Sequence, residues 1–316
     1  MAREATIEPV PWRRRKAAIA FVAGGAARDE IAELRADVLR QLVERRGRDL
    51  VRIWWGRRSR QCQAAAIVLE NAGRTGMLFH APAGAVGLDS GLQAAVMSGL
   101  SRSSLEAGLS LVQAMVNDQD HRDAALLAAA GFDRLARLLY MRRELTGAET
   151  MQAREDLTWR RWGQFSEAEL GEVIARTYEQ SLDCPAMEGV RRIDDVIAGH
   201  KSCGTFCPQT WWLAQRGGEP AGCVLANEMS AGRGEIIYLG VAPNHRGHGL
   251  GKAMIERALA GAVQCGQQSM DVVVDEANTY AKRLYEAAGF RRRDVRIAYA
   301  MLQKRPRFTS NGRPCG

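Results

Sequence analysis

The spacing of apolar positions changes period repeatedly along this chain, and the changes mark out its elements. From Leu157 to Trp162 apolar and polar residues alternate, as in a strand. Helical spacing then runs from Ser166, a suitable N-cap, to about Gln180, with Glu167 and Glu169 in the first turn. A second helix is expected over Val190–Ser202. Three strands follow, Thr210–Gln215, Ala221–Asn227 and Glu235–Val241. They are separated by the turn-forming Gly217-Gly218 and Ala231-Gly232-Arg233-Gly234. Next come a helix from near Gly249 to about Val263, a strand Ser269–Val274, a helix Thr279–Ala288 and a strand near Asp294–Leu302.

The first half predicts nearly the same order. Ala18–Val22 reads as its first strand and Arg28–Arg46 as its first helix. Strands are expected near Asp49–Trp55, Gln63–Glu70 and Met77–Ala81. A helix near Ser90–Ser101, a strand Leu109–Val116, a helix Arg122–Ala130 and a strand Leu135–Glu144 complete it, with no second helix. Residue identities support a repeat. Ala129-Ala130-Gly131-Phe132 matches Ala287-Ala288-Gly289-Phe290, and the same offset carries Gly91-Leu92 onto Gly249-Leu250 and Ala95 onto Ala253. The chain therefore divides into two copies, 1–148 and 149–316, joined by a polar stretch near Thr146–Asp156. Consecutive strands followed by helical crossovers make each copy α/β: a mixed, largely antiparallel sheet flanked by helices.

Composition agrees. The chain has 316 residues, 46% hydrophobic and 25% charged, the balance of a globular protein of two domains or one large one. Nothing approaches the ~18 consecutive apolar residues of a membrane span. Arg13-Arg14-Arg15-Lys16 before a short apolar run has the outline of an export signal. That run is broken by Gly24-Gly25 and is read as the core strand instead. The net charge of +8 sits at the ends: residues 1–60 hold 15 basic and 8 acidic side chains, and residues 291–316 hold 8 and 1. The middle is acidic, so nucleic acid is not the expected partner. Seven scattered cysteines in a chain of this size point to free thiols and a cytoplasmic, reducing setting. Cys203 and Cys207 have no accompanying pair of ligands, so no metal is expected.

The densest chemical signal runs from Val241 to Lys252, where a strand end passes through Arg246-Gly247-His248-Gly249-Leu250-Gly251 into a helix. Glycines let a backbone approach a ligand, and the free N–H groups of a helix start attract phosphate. A Walker loop fails here, since its first glycine would fall at Arg246 and Ala253 replaces the Ser/Thr. A dinucleotide fingerprint fails at Lys252. Arg246-x-x-Gly249-x-Gly251 after Leu239-Gly240-Val241 resembles the acyl-CoA motif of the GNAT acetyltransferase superfamily. The block Asn278–Phe290, with Ala281, Tyr285 and Gly289-Phe290, is similar to that superfamily's other signature. The likeness covers residues 155–303 well and 17–145 in outline.

The resemblance implies two tandem GNAT-like domains and an N-acetyltransferase that takes acetyl-CoA as co-substrate and a primary amine of a small molecule or peptide as acceptor. Arg246, Gly247, His248, Gly249, Leu250, Gly251 and Lys252 would face the CoA phosphates. Leu239, Gly240 and Val241 would line the pantetheine arm, and Asn278 and Ala281 would meet it at the start of the next helix. Tyr285 would protonate the departing thiolate. Glu235 is the leading general base, with Glu228 and Asp183 or Glu188 as alternatives. Transfer is expected to be direct, so Cys184 is not a nucleophile. The protein would be a monomer or homodimer with no membrane partner. In the first copy Leu88, Gln93, Asp120 and Leu127 stand where Arg246, Gly251, Asn278 and Tyr285 stand in the second, so that copy is expected to be degenerate. The competing reading is a non-catalytic module that binds CoA, nucleic acid or a protein partner.

Overall fold

The computed structural model describes residues 4–27, 29–187, 189–230 and 232–303. Arg28, Glu188, Ala231 and the basic tail beyond Gln303 lie outside the described residues. The chain forms two compact units. One holds Met1–Val116, Asp120–Arg134 and Tyr299–Gly316; the other holds Asn117–Gln119 and Leu135–Ala298.

The first unit contains β1 (Thr6–Pro9), α1 (Arg15–Gly24), α2 (Glu30–Arg46), β2 (Val51–Arg58), β3 (Gln61–Asn71), β4 (Thr75–His80), α3 (Ser90–Glu106), β5 (Leu111–Asn117) and α4 (His121–Ala129). Its strands run in the order β1-β2-β3-β4-β5, antiparallel except for β4 with β5. The expected strand Ala18–Val22 is the centre of helix α1. A short apolar run does not distinguish a strand from a buried helix. This one is alanine-rich, and Ala18, Ile19, Phe21, Val22 and Ala23 are all buried. The leading strand is β1 instead, paired to β2 from Thr6↔Arg57 to Pro9↔Trp54. Two helices, not one, therefore precede β2.

The second unit contains β6 (Asp133–Glu144, from Leu135 onward), β7 (Leu157–Arg161), α5 (Glu167–Tyr178), α6 (Ile193–Ser202), β8 (Trp211–Arg216), β9 (Glu219–Ser230), β10 (Arg233–Val241), α7 (Leu250–Gln264), β11 (Ser269–Asp275), α8 (Thr279–Ala287) and β12 (Arg291–Leu302) as far as Ala298. The strand order is β12-β6-β11-β10-β9-β8-β7, with β10 and β11 parallel. β6 was expected to close the first copy. From Leu135 onward it belongs to the second unit, bonded to β11 from Ser269↔Glu144 to Asp275↔Leu138. Hydrogen-bond partners, not sequence order, place this strand, so the compact units do not divide at residue 148.

In the second unit α5 and α6 cover one sheet face, packing Leu170, Ile174, Val196 and Ile197 around Trp211 of β8. On the other face α7 and α8 bury Leu250, Met254, Ala258 and Tyr285 against Val224, Ile236, Met270 and Val272. Burying this apolar area from water is the main force joining the layers.

Candidate active site

The site begins with a broken strand pair. β10 and β11 are in register from Arg233↔Ser269 to Ile236↔Val272, and there the pairing stops. β10 runs on to Val241 bonded to β9 alone. The cause is a bulge: against β9, Ile236 faces Ala226 and Tyr238 faces Leu225, with Ile237 inserted. Ile237 and Tyr238 consequently pack on the same face, beneath α5 and α6, while Leu239 and Val241 pack beneath α7 and α8. The result is a cleft whose β10 wall is unpaired main chain from Ile237 to Val241. Gly240 turns toward α5. A Cβ there would stand 2.6 Å from Thr177 Oγ1 and 2.8 Å from the Tyr238 hydroxyl.

The glycine loop carries the chain from this wall into α7. Gly247 and Gly249 have φ of +80° and +74°, which favour glycine. Gly249 is the N-cap of α7 and offers no side chain, so the N–H groups of the first turn are open to an anion. In the first unit α3 is capped by Asp89, whose Oδ1 accepts from Leu92 N at 2.9 Å. A carboxylate already occupies that helix start.

Arg246 was expected to face the CoA phosphates. Its guanidinium donates to the main-chain oxygens of Val241 (3.0 Å), Thr177 (3.1 Å), Glu179 (2.7 Å) and Gln180 (3.1 Å). It ties the C-terminal end of α5 to the loop. The arginine beside the glycines is Arg154, which the sequence reading missed. It donates to the His248 oxygen at 2.9 Å and is held by a two-pronged pair with Asp156. Lys252 is exposed, 3.7 Å from Glu256, on a groove of about 700 Å³ shared with Arg143, Leu284, Gly289 and Arg291. His248 is exposed and Leu250 is core. Gly251 lets α7 meet α8, since a Cβ there would stand 2.8 Å from Leu284 Cδ2.

α8 starts at Asn278, whose side chain accepts from Ala281 N at 3.2 Å. Ala281 packs on the core, and one turn later Tyr285 is 5% exposed, edge-on to Phe290 with ring centres 5.5 Å apart. Burial, and then the charge of Asp183, raise the Tyr285 pKa well above that of an ordinary phenol, so its hydroxyl keeps its proton. Asp183 follows α5 and lies close to Asp275 at the end of β11. Burial first, and then the Asp275 carboxylate, raise its pKa. Cys184 is pushed up to about 12 by burial, then by Asp183 and Asp275, and is a thiol rather than a thiolate at neutral pH.

Glu235 lies upstream, where β10 and β11 are still paired. Burial first, and then Asp271, raise its pKa to about 7, opposed by Arg233. Four residues of strand, roughly 13 Å, separate it from Leu239. Tyr140 on β6 is close enough for Glu235 to raise its pKa further, after burial. Arg142 on the same strand makes a two-pronged pair with Asp271 at 2.6 and 2.9 Å. Neither was anticipated, because β6 was assigned to the other half. Glu228 pairs in register with Gly234 at the far end of β10, away from the cleft. Glu188 is outside the described residues. Among the described residues no group of three His, Cys, Asp or Glu side chains could hold a metal ion.

Residues 162–290 match the acetyltransferase (GNAT) family. The mycothiol acetyltransferase of Thermobispora bispora is 38% identical over 100 residues, 30% of this chain and 34% of that protein. That of Thermomonospora curvata is 32% identical over 180 residues, 56% of this chain and 59% of that protein. The chain thus spans less than two thirds of the length of these relatives. Among solved structures, a GCN5-related N-acetyltransferase from Sphaerobacter thermophilus shares the fold with a TM-score of 0.59 at 18% identity, over 95% of this chain and 96% of that one. A tandem GNAT protein from the clavulanic acid biosynthesis pathway gives 0.53 at 15% identity, over 96% and 99%.

Proposed function

We propose that this chain, whose residues 162–290 are an acetyltransferase (GNAT) domain, is an acetyl-CoA-dependent N-acetyltransferase acting on a primary amine of a small molecule or peptide. The observation that carries the reading is the convergence of an unpaired β10 edge, an uncapped α7 start and a buried, protonated Tyr285. The open N–H groups at Leu250–Lys252 suit a pyrophosphate. Lys252, Arg143 and Arg291 on the neighbouring groove suit the remaining phosphate of CoA. The main-chain edge at Leu239 and Val241 suits the two amides of a pantetheine arm, which would add to β10 as a strand does.

Acetyl-CoA supplies the acyl group as a thioester. Glu235, in its deprotonated form, takes a proton from the incoming amine through bridging water, since the intervening strand is too long for direct contact. The Leu239 N–H polarises the thioester carbonyl as the amine attacks carbon. As the C–S bond breaks, Tyr285 gives its proton to the leaving sulfur. Cys184, held as a thiol, forms no acyl intermediate. The free cysteines suit a reducing compartment, and we place the protein in the cytoplasm.

In the first unit Asp89 fills the α3 start and Leu127 is buried where Tyr285 would be, so that unit is assigned no transfer. The test is CoA release from acetyl-CoA across a panel of primary amines. Turnover by the wild type and a loss of about 10²–10⁴-fold in Tyr285→Phe, with CoA affinity retained, are expected. No turnover with any amine sinks the reading, and an unimpaired variant removes the role of Tyr285.

A further inference from the structure

Spacing in the sequence draws attention to Cys203 and Cys207, but the fold sets Cys207 against Cys265. These two sulfurs stand 3.6 Å apart although 58 residues separate them in the chain. Neither thiol takes part in the steps above. Both main chains are held in place. Cys207 donates its N–H to Asn227 Oδ1 at 3.4 Å, and its oxygen accepts from Thr210 Oγ1 at 2.9 Å and Thr210 N at 3.1 Å. Asn227 is fully buried and also donates to the oxygens of His200 and Cys203, at 2.8 and 2.7 Å. Cys265 is the C-cap of α7, its N–H bonded to the oxygens of Gly261 (3.0 Å) and Ala262 (3.1 Å). The two stretches pack on each other, since a Cβ at Gly261 would stand 3.3 Å from Thr210 Cγ2.

A disulfide bond is about 2.05 Å long, so the sulfurs would have to close by about 1.5 Å. Rotation about the Cα–Cβ bonds moves a sulfur by about that much. A second sulfur at contact distance also decides the product. A lone thiol that meets a small disulfide stops at a mixed disulfide, whereas a pair can expel the small thiol and close on itself. Access makes Cys265 the first to react, because it is exposed and Cys207 is half-buried. Cys265 is pushed up to about 11, by partial burial first, then by Cys207 and by Glu228. It therefore reacts through a small thiolate fraction at neutral pH.

We propose that Cys207 and Cys265 form a reversible disulfide, a redox-modification site whose co-reactant is a small-molecule disulfide. Cys265 gives up its proton and attacks one sulfur of the small disulfide. A new S–S bond forms, the old one breaks, and one small thiolate leaves and takes up a proton. Cys207 then loses its proton and attacks Cys265 Sγ, and the second small thiol leaves in the same way. Two protein thiols lose two electrons and one disulfide gains them, so no further reactant is consumed. In a reducing compartment the dithiol is the resting form, and the bond forms when the small-thiol pool becomes oxidised. The loop it closes holds β8, β9, β10, the glycine loop and α7. Cross-linking restricts the unfolded chain more as the loop lengthens, so oxidation should stabilise this stretch. It also joins the connection leaving α6, on one sheet face, to the end of α7, on the other. The proposal does not depend on acetyl transfer.

In the test, the full chain is incubated under native conditions with excess oxidised glutathione. The remaining thiols are blocked with iodoacetamide and unreduced peptides are mapped by mass. A peptide cross-linked through Cys207 and Cys265 is expected, and dithiothreitol should abolish it. Cys203→Ser should still form it. Cys207→Ser, which lacks the thiol that expels glutathione, should hold one glutathione on Cys265. The thermal midpoint of the cross-linked chain should lie about 5 °C or more above that of the reduced chain. A cross-link between Cys203 and Cys207, or alkylation of both Cys207 and Cys265 after the incubation, overturns the proposal. So does a cross-link that forms only in denaturant. An unmodified Cys265 in Cys207→Ser overturns the order of attack, and a midpoint that does not rise overturns the stabilising role of the loop.

Discussion

The Arg246 guanidinium donates to the main-chain oxygen of Glu179 at 2.7 Å, and through three further bonds it holds the end of α5 against the end of β10. A cation at a helix C-terminus offsets the exposed carbonyl dipoles, and charged donors make stronger bonds than neutral ones. Arg246→Ala should therefore act first on stability, by about 2 kcal/mol in denaturant unfolding. Its CoA affinity should keep the wild-type dependence on salt. A steep loss of that dependence would mean that Arg246 meets phosphate after all.

Asp89 and Gly249 cap equivalent helices in the two units, one with a carboxylate and one with nothing. CoA should therefore bind once per chain in titration calorimetry. Removing the cap with Asp89→Gly should cost a few tenths of a kcal/mol of stability. It should not create a second tight site, because Gln93 also fills that region, bonded to both the N–H and the oxygen of Ala65 at 2.9 Å. Two sites in the wild type would show that the first unit is not degenerate.

Much of this was legible in the sequence because the signals were local. Ser166 with Glu169 announced α5, and the structure shows the full capping box. Asn278 and Asp120, singled out in the sequence for other reasons, cap α8 and α4. What failed was what depends on partners. The Ala18–Val22 run has no periodicity of its own, and only packing on α2 and the sheet makes it a helix. β6 reads as the last strand of the first half, and nothing within it says that β11 is its partner. Arg246 sits in a motif that suggested phosphate, but its direction is set by carbonyls more than sixty residues away.

Gly240 is required by contact, not by φ. A Cβ at this position would press on Thr177 and Tyr238, which hold each other at 2.6 Å. Both lie between α5 and the sheet, so neither has room to retreat. Gly240→Ala should cost about 1–3 kcal/mol through overpacking and move the β10 edge that lines the cleft. CoA affinity and thermal stability should fall together. A variant that loses affinity at wild-type stability would give Gly240 a direct part in binding instead.

Glu235, as the proposed base, should set the acid side of the pH profile. Its pKa is raised to about 7, so the side chain is a neutral acid below that pH and a carboxylate above it. Only the carboxylate can accept the amine's proton. kcat/KM should then rise about tenfold per unit as pH climbs toward 7 and level off above it. The acceptor's own ionisation bends the same curve, so the wild type must be compared with Glu235→Gln on one acceptor. The variant should lose the limb near 7, keep any limb due to the amine, and run about 10²-fold slower on the plateau. If the limb survives in Glu235→Gln but is lost in Asp183→Asn, the base is Asp183. That residue stands close to Asp275 and is already within electrostatic reach of Tyr285.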